Sequence, residues 1–135
     1  MLKNIPALFS SIIIGIILFQ SALIAPAINY LINPEEAALF LRFVWPKFFM
    51  IIAVLSATSI LSMLIQKVSS TRSKVLSISS VVFMLVCYFL TPVINDAKDA
   101  GNDDLWTILH MTTVGATVVV LVLNFLNIRS WKSFV

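Results

Sequence analysis

Four long stretches without a charged residue dominate the hydrophobic pattern of this chain. They are Ile5–Pro34, Phe48–Gln66, Val75–Asn95 and Leu105–Ile128. About 20 apolar residues form a helix that crosses the hydrocarbon core of a bilayer, and each stretch is roughly that long or longer. Because lipid offers the backbone no hydrogen-bond partner, each stretch should satisfy its own polar groups as a helix. The pattern predicts an all-α fold, an integral membrane four-helix bundle.

Prolines and polar residues set the predicted helix boundaries. Pro6 fits a first helical turn, where its missing N–H costs nothing. Pro26 lies inside the first helix and predicts a kink in its last third. We expect one membrane domain over residues 1–135, with transmembrane helices at about 6–31, 46–66, 75–95 and 104–127.

A short amphipathic segment separates the first two apolar stretches. Asn33 is a favourable helix cap, Pro34 suits the first helical position, and acids follow in the first turn. The next residues mix aromatic side chains with Arg42, which is typical of a helix at headgroup depth. We therefore predict a short interfacial helix at about 34–44, after which Pro46 starts or kinks the second transmembrane helix.

Two faces of the predicted helices are not purely apolar. In the fourth helix, His110, Thr113, Thr117 and Asn124 share one stripe, which should face the bundle because polar groups are costly in lipid. The second helix has a face of small residues suited to close helix packing. These residues are Ala53, Ser56, Ala57, Ser59 and Ser62.

The charges predict an orientation in the membrane. All six acids fall on one side of a four-helix topology, together with Arg42, Lys47 and Lys98. The other basic residues lie on the side of the termini: Lys3, Lys67, Arg72, Lys74, Arg129 and Lys132. Positive residues favour the cytoplasmic side, so both termini should be cytoplasmic.

Several classes of function have no support in the sequence. Three glycines cannot build a glycine-rich phosphate loop, and no serine has a histidine and an acid in a recognisable arrangement. Cys87 is the only cysteine, and no basic stripe with interleaved aromatics indicates nucleic-acid binding. The acids near Gly101 lack the spacing of a calcium loop, and Asn102, Asp103 and Asp104 fit better as helix caps. We predict neither an enzyme nor a metal site.

The chemistry that the sequence does offer lies around the loop between the third and fourth helices. His110 is the only histidine, and an ionisable residue in a membrane segment is a functional candidate by default. With Asn95, Gln20 and Trp106 it would line a pocket below the outer surface, near Asn29. The leading expectation is no cofactor. Haem or a quinone is the alternative; with one histidine, this chain would need a methionine or a second subunit to complete a pair of haem ligands.

The chain resembles the small bacterial membrane proteins grouped as DUF4149, which are related to the eukaryotic transmembrane protein 205 group. The residues that carry the resemblance are Phe19–Pro26, Phe40–Phe49, Pro92–Gly101 and Leu109-His110. One departure is Met111, where the pattern has a polar residue. The resemblance implies four helices, a bacterial inner membrane, and a polar core made of Arg42, Pro46, Asn95, Asp99 and His110.

Three functions are compatible with these features. We expect first a non-catalytic accessory or scaffold subunit that packs against itself or against other membrane protein subunits. The second is a haem- or quinone-binding subunit in electron transfer. The third is a small transporter or ion-handling protein that uses the region of Asp99 and His110 as its outer gate.

Overall fold

The computed structural model describes residues 4–131, and within them the chain forms four long helices. They are α1 (Ile5–Leu31), α2 (Pro34–Ile65), α3 (Thr71–Asp99) and α4 (Asp103–Trp131). The predicted all-α, four-helix fold is confirmed. Lys3 and Lys132, which contribute to the predicted orientation, lie outside the described residues.

All four helices are long and apolar enough to cross a membrane, so the protein is an integral membrane protein by helix length and composition. They form a ring in which each helix packs against its two neighbours. α3 packs most extensively, against α2 and α4, whereas α1 packs less extensively on either side. The connections near Asn33 and Gly101 lie at one end of the bundle, which we call the acidic end. The connection between Ile65 and Thr71 lies at the opposite end, which we call the terminal end.

The prediction of a separate interfacial helix at 34–44 is wrong, because α2 is one continuous helix from Pro34 through Pro46 to Ile65. Pro46 removes one backbone N–H, but packing in a bundle tolerates a proline within a membrane helix. At 1.5 Å per residue, α2 is about 48 Å long, well beyond the roughly 30 Å hydrocarbon core. The amphipathic segment is therefore an extension of α2 at the acidic end.

The predicted disturbance near Pro26 takes the form of a π-helical turn in α1. Residues Phe19–Ile24 are π-helical, and the Ala25 N–H donates to the Gln20 carbonyl five residues earlier. An α-helix resumes at Ala25 and ends at Leu31. Since Pro26 cannot donate to the preceding turn, the wider turn lies where the hydrogen-bond ladder is interrupted.

The helix ends at the acidic end have the predicted caps. The Asn33 side chain accepts from the Glu36 N–H at 2.9 Å, and the Asn102 side chain accepts from the Leu105 N–H at 3.1 Å. α3 ends in a Schellman turn: Gly101 has φ +68°, and the Asn102 N–H donates to the Ala97 carbonyl at 2.9 Å. These caps fix short connections, so neighbouring helices run antiparallel.

Towards the terminal end, buried polar side chains bond to one another across helices. The Asn127 amide donates to Ser10 of α1 at 3.0 Å and to Ser77 of α3 at 3.3 Å. The Asn124 amide donates to Ser80 of α3 at 3.4 Å. All five side chains are buried, and we call them the serine–asparagine cluster. It ties α1 and α3 to α4, because a polar group facing lipid would lose such bonds.

Candidate ligand-binding cavity at the acidic end

A partly open cavity of about 430 Å³ extends from the acidic end into the bundle, and all four helices line it. Its volume falls within the roughly 300–1,000 Å³ of small-molecule sites. The polar and charged lining residues are Ser21, Asn29, Arg42, Thr91, Asn95, Lys98, His110, Thr113 and Thr117. The deeper wall is mainly apolar and includes Ile17, Phe49 and Leu121.

The cavity exists because α1 and α4 separate towards the acidic end. Up to Leu18, the backbone of α1 approaches both α2 and α4, whereas beyond Leu18 it approaches only α2 within the described part of the chain. The separation begins at the π-helical turn. The side chains of α1 that face the gap are small there, Ser21, Ala22 and Ala25, so they leave it unfilled.

An ion pair joins α2 to α3 at the rim of the cavity. Arg42 donates from both terminal nitrogens to the two carboxylate oxygens of Asp99, at 3.0 Å and 2.5 Å. This two-bond geometry is the favourable one for a guanidinium and a carboxylate. The Arg42 side chain is 31% exposed and that of Asp99 60% exposed. Arg42 therefore lies on the cavity side of the pair and Asp99 on the solvent side.

A second ion pair joins α3 to α4 on the same rim. The Lys98 ammonium donates to Asp103 at 2.7 Å and lies 4.7 Å from the centre of the Trp106 ring. Lys98 lines the cavity, whereas the more exposed Asp103 does not. Both pairs thus have the same arrangement, with the cation facing the cavity and the carboxylate facing outward.

His110 lies one turn into the cavity from this rim. Its ring stacks on Trp106 with centroids 5.2 Å apart and planes 5° apart. It is half-buried, and among the described residues none exchanges a hydrogen bond with the ring. Both ring nitrogens therefore keep their hydrogen-bonding capacity for a molecule in the cavity.

Most of the predicted site residues converge on the cavity. His110, Asn95 and Trp106 line it, as do Asn29 and Arg42, and Asp99 joins through its bond to Arg42. Gln20 does not line it, contrary to expectation. Gln20 is buried elsewhere, with its amide nitrogen lacking a hydrogen-bond partner among the described residues.

Lys98 and Trp45 are among the lining residues that were missed from the sequence, although helical spacing indicates them. Lys98 follows Asn95 by three positions, and Trp45 follows Arg42 by three, so each pair shares a helix face. The predicted polar stripe of α4 does face inward, since Thr113, Thr117 and Asn124 are buried and His110 is half-buried.

Comparison of the chain with protein-family models, with curated proteins and with solved structures finds no match. The resemblance described above therefore stays a prediction.

Proposed function

We propose that this protein is a non-catalytic membrane protein that binds one amphipathic molecule in the cavity at the acidic end. The observation that carries the proposal is the combination of an apolar wall with a polar rim in one space that all four helices line. A lipophilic body would pack against Ile17, Phe49 and Leu121. Its polar head would meet the hydrogen-bonding groups of the rim, as is typical of small-molecule sites.

Three of the five small residues on α2 that would suit a partner helix pack within the bundle instead. Ala53, Ser56 and Ser59 are buried against the protein's own helices and are not free for a partner, whereas Ala57 of the same face is exposed. The accessory-subunit role, with another membrane protein or a second copy as partner, stays a prediction from sequence.

A quinone belongs to the amphipathic class that this proposal names, whereas haem fits the cavity less well. His110 is the only histidine in the sequence, and none of the described methionines lines the cavity. A haem would therefore have one axial ligand from this chain. Electron transfer and ion transport stay alternatives without a supporting contact.

The proposal can be tested by filling the cavity. Val114 lines the cavity and Val119 does not, although both lie on α4 and both are 40% exposed. Tryptophan at position 114 should occupy the space of the ligand, whereas tryptophan at position 119 should point away from it. We expect native mass spectrometry from lipid nanodiscs to show one retained amphipathic molecule per wild-type protein and per Val119→Trp variant.

The Val114→Trp variant should lose that molecule. Extraction and mass analysis of the bound species then identify it, and an absorption spectrum reports any haem. An empty wild-type protein, or a molecule retained equally by Val114→Trp, would contradict the proposal.

A further inference from the structure

The two cavity-facing cations carry an inference about the ligand that rests on the proposed function. We infer that the ligand is a single-chain amphiphile with a carboxylate head, of the fatty-acid class, which Arg42 and Lys98 hold at the rim while the chain extends towards Phe49 and Leu121.

The charge of the lining favours an anion. Arg42 and Lys98 line the cavity, and no acidic residue does among the described part of the chain. Asp99 and Asp103 neutralise these cations from outside, with 60% and 71% of their side chains exposed. Solvent screens an exposed carboxylate more strongly than a group inside a cavity, so a head group on the cavity side meets a positive surface.

The rim also has more free donors than free acceptors. A guanidinium has five N–H groups, and Arg42 uses one from each terminal nitrogen for Asp99. An ammonium has three, and Lys98 uses one for Asp103. The remaining N–H groups, with the Asn95 amide, suit a head that only accepts hydrogen bonds. A carboxylate is such a head, and bonds to a charged donor are stronger than bonds to a neutral one.

The size of the cavity favours a ligand with one chain. A volume of about 430 Å³ accommodates one acyl chain, so the second chain of a phospholipid would have to lie outside the cavity. The chain would pass between small side chains of α1 and the apolar residues of α4 and end beside Phe49. That ring stacks against Trp45 at 5.8 Å between centroids, so a group at the chain end lies close to a natural fluorophore.

Tryptophan quenching in nanodiscs of zwitterionic lipid tests this inference. Trp131 does not line the cavity, so a Trp131→Phe background leaves Trp45 and Trp106 as reporters. The probes are ω-bromolauric acid and the matched neutral alcohol, ω-bromododecanol, whose bromine quenches at contact. We expect quenching by both probes to saturate, with half-maximal quenching by the acid at a concentration at least about tenfold lower than by the alcohol. A tenfold difference in affinity is about the size expected for a hydrogen bond to a charged group.

Two substitutions separate the head group from the chain. Arg42→Gln should weaken binding of the acid towards that of the alcohol, with Lys98 keeping part of the preference, and should leave binding of the alcohol unchanged. The matched control is Lys47→Gln, since Lys47 is an exposed cation on α2 that contacts Phe43 and does not line the cavity. This control should bind both probes as the wild type does.

A third substitution covers the case in which Arg42→Gln fails to fold. Asp99→Asn removes the outward carboxylate and frees Arg42, so the acid should bind more tightly while the alcohol is unaffected. Equal binding of acid and alcohol, or no gain in Asp99→Asn, overturns the carboxylate head and leaves the proposed function intact. The absence of saturable quenching by either probe overturns both.

Discussion

The two ends of the bundle use polar residues in opposite ways. At the terminal end, the serine–asparagine cluster is buried, and its amides bond to hydroxyl groups on neighbouring helices. At the acidic end, Asn29 and Asn95 line a partly open cavity, and among residues 4–131 the Asn29 amide donates only to the Ala25 carbonyl of its own helix. Asparagine therefore joins helices at one end and lines a space between them at the other.

This difference assigns stability to the terminal end of the bundle and ligand binding to the acidic end. Interhelical hydrogen bonds hold α1, α3 and α4 together at the terminal end, where lipid offers the same groups no partner. That contact allows α1 and α4 to diverge beyond Leu18, since the ion pairs of the acidic end join only α2 to α3 and α3 to α4. We expect substitutions of packed side chains at the terminal end to affect folding and those of cavity-lining residues at the acidic end to affect ligand binding.

The largest effect should come from removing a packed side chain near the terminal end. Met63 of α2 is fully buried, so Met63→Ala should destabilise the protein by about 2–5 kcal/mol. The lower part of that range is expected, because lipid solvates apolar side chains in the unfolded state. The matched variant is Leu41→Ala, on the same helix but on the cavity wall, where the cost should be below about 1 kcal/mol. Unfolding in mixed micelles with increasing dodecyl sulfate measures the loss of stability in both variants. An equal loss in Met63→Ala and Leu41→Ala would contradict the distinction between the two ends.

A smaller effect should come from the asparagines themselves. Asn127→Ala removes the two interhelical bonds to Ser10 and Ser77 and should cost about 1–2 kcal/mol in the same unfolding measurement. Asn95→Ala removes no hydrogen bond to a described residue, so its unfolding curve should overlay that of the wild type. A destabilised Asn95→Ala protein would show that the polar residues of the acidic end also hold the helices together.

The smallest effect concerns the helix ends, which close in the same way at both ends of the bundle. α2 ends in a Schellman turn with Lys67 at φ 52°, whereas the equivalent residue after α3 is Gly101. A side chain is strained at positive φ, so Lys67→Gly should stabilise the protein by about 0.5–1 kcal/mol and Gly101→Ala should destabilise it by about 1 kcal/mol. Nothing lies within 4 Å of a Cβ at Gly101, so the effect there is purely conformational. Shifts of the same sign in both variants would contradict this explanation.

The fold was predictable because hydrophobic length and helix caps are local properties. Charge-free stretches gave the four helices, and Asn33 and Asn102 cap them as expected. The continuity of α2 was not predictable, because packing around Pro46 decides whether a proline breaks a membrane helix. The cavity itself was also beyond the sequence, since it depends on how far α1 lies from α4. His110, Asn95 and Arg42 were identifiable because charged and amide groups are rare in such apolar helices.

The π-helical turn also determines the direction in which the side chains in the last part of α1 point. Ile17 and Asn29 both line the cavity, although they are twelve positions apart in sequence. In an uninterrupted α-helix, twelve steps of about 100° leave the second side chain roughly 120° away from the first. The wide turn Phe19–Ile24 takes up about one extra residue and reduces that offset to roughly 20°. Deleting one residue within the turn would leave eleven ordinary helical steps and keep Asn29 facing the cavity, whereas an ordinary helix of unchanged length would rotate it away, so the extra residue of the turn is itself a determinant of the site.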